Sequence, residues 1–204
     1  VMEALVGEDM RSGKIEVKHI DGMTIENRVA KLNSLPEECL EEIKKCQVLL
    51  KGPMVTPRAG DGLPNLVSAN SLLRRGLDLY AAVRPIDIPE KGIHWTFFRE
   101  NIEGEYIWGN KGVQVDEDLA VDFKVQTHLG SRRIARAAFE FARKNGKHNV
   151  TIVTKANIVK LADGNFIKVV REVGQEYPDI EIQDRLVDAM CAKMLDPDFN
   201  EGIE

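Results

Sequence analysis

Lys155 stands where the β-branched run NVTIVT (149–154) gives way to Ile158, Leu161, Ala162, Phe166, Val169 and Val170, spaced by threes and fours. The chain there passes from strand to helix. A lysine at a strand's end, partly removed from water, can lose its proton near neutrality and act as a base. A buried stem with a solvated head explains it more simply. Tyr106, closing FRENIEGEY (98–106), is a second group able to move a proton. Arg74 ends a predicted helix, and Arg84 and Arg99 each close a predicted strand. Guanidinium forks pair bidentately with carboxylates, so three that converge would suit a substrate carrying several. Taken singly, each is better explained as a surface salt bridge.

Ser68 and Asn70 fall in the first turn of the helix that carries Arg74, and Asn70 and Arg74 share a face at a spacing of four. Free N–H groups at a helix start favour an anion, although capping alone accounts for both residues. Asp184 and Asp188 are likewise four apart and read as stacked on one face of a helix over 184–195. Such oxygens suit Mg²⁺ or Mn²⁺; spacing alone favours a solvated acidic face. GDG at 60–62 is too short for dinucleotide recognition, and no GxGxxG follows a strand. His19, His94, His128 and His148 are scattered, and Cys39, Cys46 and Cys191 lack metal-ligand spacing. The cysteines fit reduced thiols and a cytoplasmic protein.

Strands are predicted at 14–20, 47–53, 77–85, 94–101, 149–154 and 180–182. Helices are predicted at 34–46, with Ser34 near the cap and Pro36 in the first turn, at about 66–75 after the loop RAGDGLPN (58–65), at 131–146 with Ser131 as cap and Gly146 as stop, and at about 159–176. Residues 104–127 alternate around Gly109, Asn110 and Gly112, a small β excursion. Strands alternating with helices imply an α/β fold with a partly parallel sheet. The net charge of −5 gives no sign of nucleic-acid binding, and no apolar run is long enough to span a membrane. The opening VMEAL reads as the tail of a helix, and the ending NEGIE closes no element. The chain is expected to be a fragment.

KGPMVTP (51–57), SANSLLRRGLDLYAAVRP (68–85), FRENIEGEY (98–106), TKANIVKLADGNF (154–166) and DRLVDAMCAKML (184–195) follow one another in the order found in isocitrate dehydrogenases. The sequence resembles the metal-dependent β-decarboxylating dehydrogenases, which act on isocitrate, isopropylmalate or homoisocitrate. The resemblance implies the isocitrate/isopropylmalate dehydrogenase-like α/β fold: part of a large domain (1–79), a small domain (80–103 and 128–204), and a clasp-like dimerisation segment (104–127).

The resemblance also implies roles. Arg74, Arg84 and Arg99 would hold substrate carboxylates, with Lys51, Thr56 and Asn101 lining the same pocket. Ser68 and Asn70 would meet the extra carboxylate of isocitrate, and a polar pocket rejects a substrate that leaves it unpaired. Homoisocitrate enzymes share the RRGLDLYAAVRP pattern and are the nearest competitor, followed by isopropylmalate enzymes. Lys155 would manage the hydroxyl proton and Tyr106 would protonate the enol carbon. Asp188 and Asp184 would bind Mg²⁺ or Mn²⁺, and Asn157 and Thr56 would touch NAD or NADP. Lys155 and Asp188 reach the site from the second subunit in the family, so a homodimer with shared active sites is expected. Some bacterial relatives are controlled by phosphorylation at the serine matching Ser68. The family's N-terminal strand and its downstream metal and adenosine loops would lie outside these residues, so the 204-residue piece is expected to be inactive. A non-catalytic regulatory subunit of a heteromeric isocitrate dehydrogenase is the alternative from a binding class.

Overall fold

The structure, a computed structural model, describes residues 2–57, 60–108, 111–200 and 202–203. The chain forms two compact units, 1–73 and 74–204. In the first, α1 (Met2–Arg11), α2 (Ile25–Ala30) and α3 (Glu37–Lys44) are joined by long irregular segments. Thr24 caps α2 by accepting from the Asn27 amide. Pro36, not Ser34, occupies the cap position of α3, where its missing N–H costs no helical bond. The strands expected at 14–20 and 47–53 do not form. A strand needs a ladder partner, and among the described residues neither segment has one; Val48 and Leu50 stand exposed. Arg58 and Ala59, which begin the expected glycine-rich loop, lie outside the described residues, as do Gly109 and Asn110 of the expected hairpin.

Helix α4 (Ala69–Gly76) leads into the second unit, which among the described residues holds three two-stranded sheets rather than one larger one. Strands β1 (Ala81–Ile88) and β2 (Ile93–Glu100) pair antiparallel. Arg84 therefore lies inside a strand and does not end one: Pro85 is tolerated because β1 is an edge strand. Strands β3 (Val113–Gln114) and β4 (Ala120–Val121) form the excursion. Its reversal is at Asp116–Leu119, where the Asp116 carboxylate accepts from the amides of Asp118 and Leu119 at 2.9 and 2.8 Å.

Helix α5 (His128–Lys144) starts three residues before its expected cap. Thr127 Oγ1 accepts from the Gly130 amide at 3.0 Å, whereas the Ser131 hydroxyl donates back to the Thr127 carbonyl. Gly146, at φ +66°, ends the helix as expected. Strand β5 (Asn149–Thr154) matches its expected span and runs parallel to β6 (Glu181–Leu186), with α6 (Ala162–Gly174) crossing between them. Helix α7 (Val187–Lys193) follows. The ladder to β5 extends β6 through Leu186, so Asp184 is a strand residue and does not stack with Asp188 on a helix.

The core of this unit lies between α5, α6 and the β5–β6 pair: Ala135, Phe139 and Ala142 meet Val170, Val173, Tyr177, Ile152 and Ile180. Phe139 is fully buried and stacked on Tyr177 at 5.0 Å, and burial of a ring that size contributes about 2–3 kcal/mol. A second cluster joins Ile93 and Trp95 of β2 to Met190 of α7, with Phe97 and Val153 at its margin. This second cluster sets the carboxyl end of β5 and helix α7 against β2.

Candidate active site

Thr154 and Leu186 are paired at the carboxyl ends of the parallel strands β5 and β6. Lys155 follows one by a single residue and Asp188 follows the other by two, so strand register brings them together. Lys155 Nζ lies 2.8 Å from Asp188 Oδ1. The ammonium holds the Asp188 carboxyl below its usual value. Carboxyl ends of adjacent parallel strands are where α/β folds build sites. Asp184 is engaged elsewhere, by Arg171.

The loop carrying Lys155 is closed from both sides. Its carbonyl accepts from the amides of Ile158 and Val159 at 2.9 and 2.8 Å. Its own amide donates to Asp163 Oδ2 at 2.7 Å, and Asp163 Oδ1 pairs with Lys124 Nζ at 2.6 Å. Asp163 is buried in the first turn of α6. Sequence reasoning missed it. An acid in a helix's first turn, eight residues beyond Lys155, was the available signal.

In an antiparallel pair, directly opposed residues share a face, and so do residues two apart. Arg84 opposes Phe97 and Ala82 opposes Arg99, so both arginines project from one face of the β1–β2 pair. That face also carries Trp95 and Phe97, which pack toward α7 and Val153. Arg99 Nη2 donates to Asn101 Oδ1 at 2.7 Å, and Nη1 to the Tyr106 hydroxyl at 3.4 Å. The guanidinium lies 5.4 Å from the Tyr106 ring centroid. Asn101 is itself held by donation to the Leu79 carbonyl, so it aims the Arg99 fork. The buried Arg99 Nε finds no partner among the described residues, which leaves a donor for a ligand oxygen. Glu103, a buried acid also missed by sequence, accepts from the amide and hydroxyl of Thr127 and so anchors the excursion's return to α5. Burial pushes the nearby Glu100 carboxyl up, against donation from the Glu103 and Ile102 amides.

A cavity of about 470 Å³ in this unit is lined by Arg99, Tyr106, Lys124, Lys155 and Asp163, with Phe97 and Met190 among its apolar walls. It brings together the Arg99 guanidinium and both proton-transfer candidates. Arg84, Asn101, Asp188 and Asn157 do not line it; Asn157 is exposed on the Lys155 loop.

The remaining predicted residues belong to the first unit or to α4. Ser68 immediately precedes α4, its carbonyl accepting from the Leu72 amide. Asn70 and Arg74 lie four apart on α4, and the buried Asn70 Oδ1 has no partner among the described residues. Lys51 is exposed and donates to the Gly52 carbonyl. Thr56 is half-buried. The segment before it is held by the buried Arg28, which donates to the carbonyls of Val55 and Met23 at 2.8 and 3.1 Å. Among the described residues no three His, Cys, Asp or Glu side chains form a metal cage, and no helix is long and apolar enough to cross a membrane.

A family model described as isocitrate/isopropylmalate dehydrogenase matches residues 1–202. The mitochondrial protein "Isocitrate dehydrogenase [NAD] subunit 2" of Schizosaccharomyces pombe is 38% identical over 170 residues, covering 79% of this chain and 43% of that protein. "Isocitrate dehydrogenase [NAD] regulatory subunit 2, mitochondrial" of Arabidopsis thaliana is 40% identical over 170 residues, covering 80% of this chain and 45% of that one. The crystal structure of isocitrate dehydrogenase from Methylococcus capsulatus superposes with a TM-score of 0.76 at 36% identity, over 93% of this chain and 58% of that one. The chain thus spans less than half the length of these two curated relatives.

Proposed function

Because the chain belongs to the isocitrate/isopropylmalate dehydrogenase family and shares its α/β fold, we propose that the protein it is part of oxidatively decarboxylates isocitrate with NAD. The Arg99 fork beside the Tyr106 hydroxyl on one cavity carries this reading, with Lys155 the residue that each chain lends to its partner's site. The NAD-dependent relatives support the choice of cofactor over NADP.

Arg74, Arg84 and Arg99 hold the substrate carboxylates, with Ser68 and Asn70 on the third; the unpaired Arg99 Nε is a donor that a carboxylate would satisfy, whereas the unpaired Asn70 Oδ1 is an acceptor and calls for a hydroxyl or another donor. The resemblance adds Lys51 and Thr56 to the substrate-binding set, and Asn101 contributes by aiming Arg99. Released from Asp188 and in its neutral form, Lys155 takes the hydroxyl proton as the hydride passes from the hydroxyl-bearing carbon to NAD, and Tyr106 protonates the enol carbon after the C–C bond breaks and CO₂ departs. Arg99 beside the Tyr106 hydroxyl keeps that proton donor aimed into the cavity. Thr56 and Asn157 contact the dinucleotide. A bound Mg²⁺ or Mn²⁺ supplies polarisation of the ketone oxygen. The Asp188 carboxylate has the hard oxygen chemistry such an ion requires, but it would have to exchange Lys155 for the ion, as Asp184 would have to leave Arg171.

The active form is a dimer with shared sites, residues 104–127 serving as the clasp between a small domain (80–103 and 128–204) and its copy. The exposed Trp108, Val113, Val115, Leu119 and Phe123 of that segment support this role. The reduced cysteines fit a thiol-preserving compartment.

The relative named as a regulatory subunit favours one second reading: a subunit that binds isocitrate without turning it over. Tyr106→Phe in the full-length protein separates the two. A catalytic subunit loses about a hundredfold or more in kcat, the scale of a general acid. A regulatory subunit, assayed beside its catalytic partner, loses little.

A further inference from the structure

We propose that Asp163 is a positioning residue that couples the 104–127 excursion to the proton-transfer lysine, its ion pair with Lys124 setting the backbone from which Lys155 acts. The inference rests on the role given to Lys155 above. Asp163 is 3% exposed and uses both carboxylate oxygens, one on Lys124 Nζ at 2.6 Å and one on the Lys155 amide at 2.7 Å. With the Lys155 carbonyl closed on Ile158 and Val159, both backbone polar groups of Lys155 are fixed.

A neutral asparagine would serve the amide as well. A buried carboxylate is costly unless paired, and what the charge adds here is Lys124. That lysine lies on the segment by which the excursion returns, next to Val125, whose amide and carbonyl pair with those of Gly104. Gly104 is two residues before Tyr106. One buried ion pair therefore links the segment that carries Tyr106 to the loop that carries Lys155, and all of these groups except Val125 line the same cavity. Proton transfer depends on placement within a fraction of an ångström, so loosening this link lowers turnover more than substrate binding.

The test uses the full-length protein and three variants: Lys124→Met, Asp163→Asn and Asp163→Ala. Amide hydrogen exchange over 154–159 is read alongside steady-state kinetics. Asp163→Ala is expected to speed exchange at the Lys155 amide by about tenfold or more and to lower kcat most, with KM for isocitrate within about twofold of the parent's. Lys124→Met and Asp163→Asn break the same ion pair. Their kcat losses should be equal and smaller, and the double variant no worse than either. If Asp163→Ala does not fold, these two carry the test alone. Unchanged exchange at the Lys155 amide in folded Asp163→Ala overturns the proposal, as does kcat loss that simply adds in the Lys124→Met/Asp163→Asn double variant. Faster exchange in a protein whose parent turns over no substrate supports the positioning role and sinks the proposed function instead.

Discussion

Replacing Arg99 with lysine keeps the positive charge and removes the planar fork. Nη2 gives one hydrogen to Asn101 and Nη1 one to the Tyr106 hydroxyl, so the buried Nε and the second hydrogens of the two Nη atoms are the donors left for a carboxylate. An ammonium cannot hold Asn101 and meet the substrate bidentately at once. The loss amounts to one or two hydrogen bonds to charged groups, about 1.5–3 kcal/mol each. Part is returned by the retained charge, leaving about 2–4 kcal/mol. At about 1.4 kcal/mol per factor of ten, kcat/KM for isocitrate should fall by about 30- to 1,000-fold. Initial rates of nicotinamide reduction in the full-length protein measure this, with dimer mass and circular dichroism checking that the fold survives. A folded variant within about threefold of the parent would refute the placement of Arg99 on a substrate carboxylate.

Three further outcomes are expected. Co-refolding Tyr106→Phe chains with Lys155→Met chains should restore about a quarter of parental activity if sites are shared, since half the dimers are hybrids with one intact site each; no restoration would mean that each site is built from one chain. Gly174→Ala sets a Cβ 2.2 Å from Ile182 Cδ1 and 3.2 Å from Phe139 Cζ, so overpacking of about 1–3 kcal/mol should outweigh the helix gain of about 1 kcal/mol. The urea midpoint then falls; a rise would show that the α6–β6 contact is loose. Burial raises the Glu100 carboxyl, so its stabilising contribution is full below the unfolded value of about 4.3 and is lost as pH rises through the higher folded value. Glu100→Gln should flatten that decline and be the more stable form at neutral pH, and parallel stability–pH curves would contradict the assignment.

Legibility in the sequence followed the range of the interactions. NVTIVT and the amphipathic spacing of α5 and α6 were read correctly because alternation and helical period are local. KIEVKHI and QVLLKGP have strand-like composition, but a strand exists only where a partner bonds it, and periodicity carries no information about partners. Asp184 was read on a helix because its spacing from Asp188 fits one; the ladder from β5 decided otherwise. Lys155, Arg99 and Tyr106 were legible as chemistry-bearing types at element ends. Asp163 and Glu103 were not, because their importance comes from burial and from partners 39 and 24 residues away, at Lys124 and Thr127.

The first measurement to make is nicotinamide reduction by the full-length protein with Mg²⁺, offering isocitrate, homoisocitrate and isopropylmalate, each with NAD⁺ and with NADP⁺. Turnover of isocitrate with NAD⁺, far above every other combination, is the predicted result. Preference for homoisocitrate or isopropylmalate would contradict the reading of Ser68 and Asn70, and no turnover from a folded dimer would move the protein to the regulatory class.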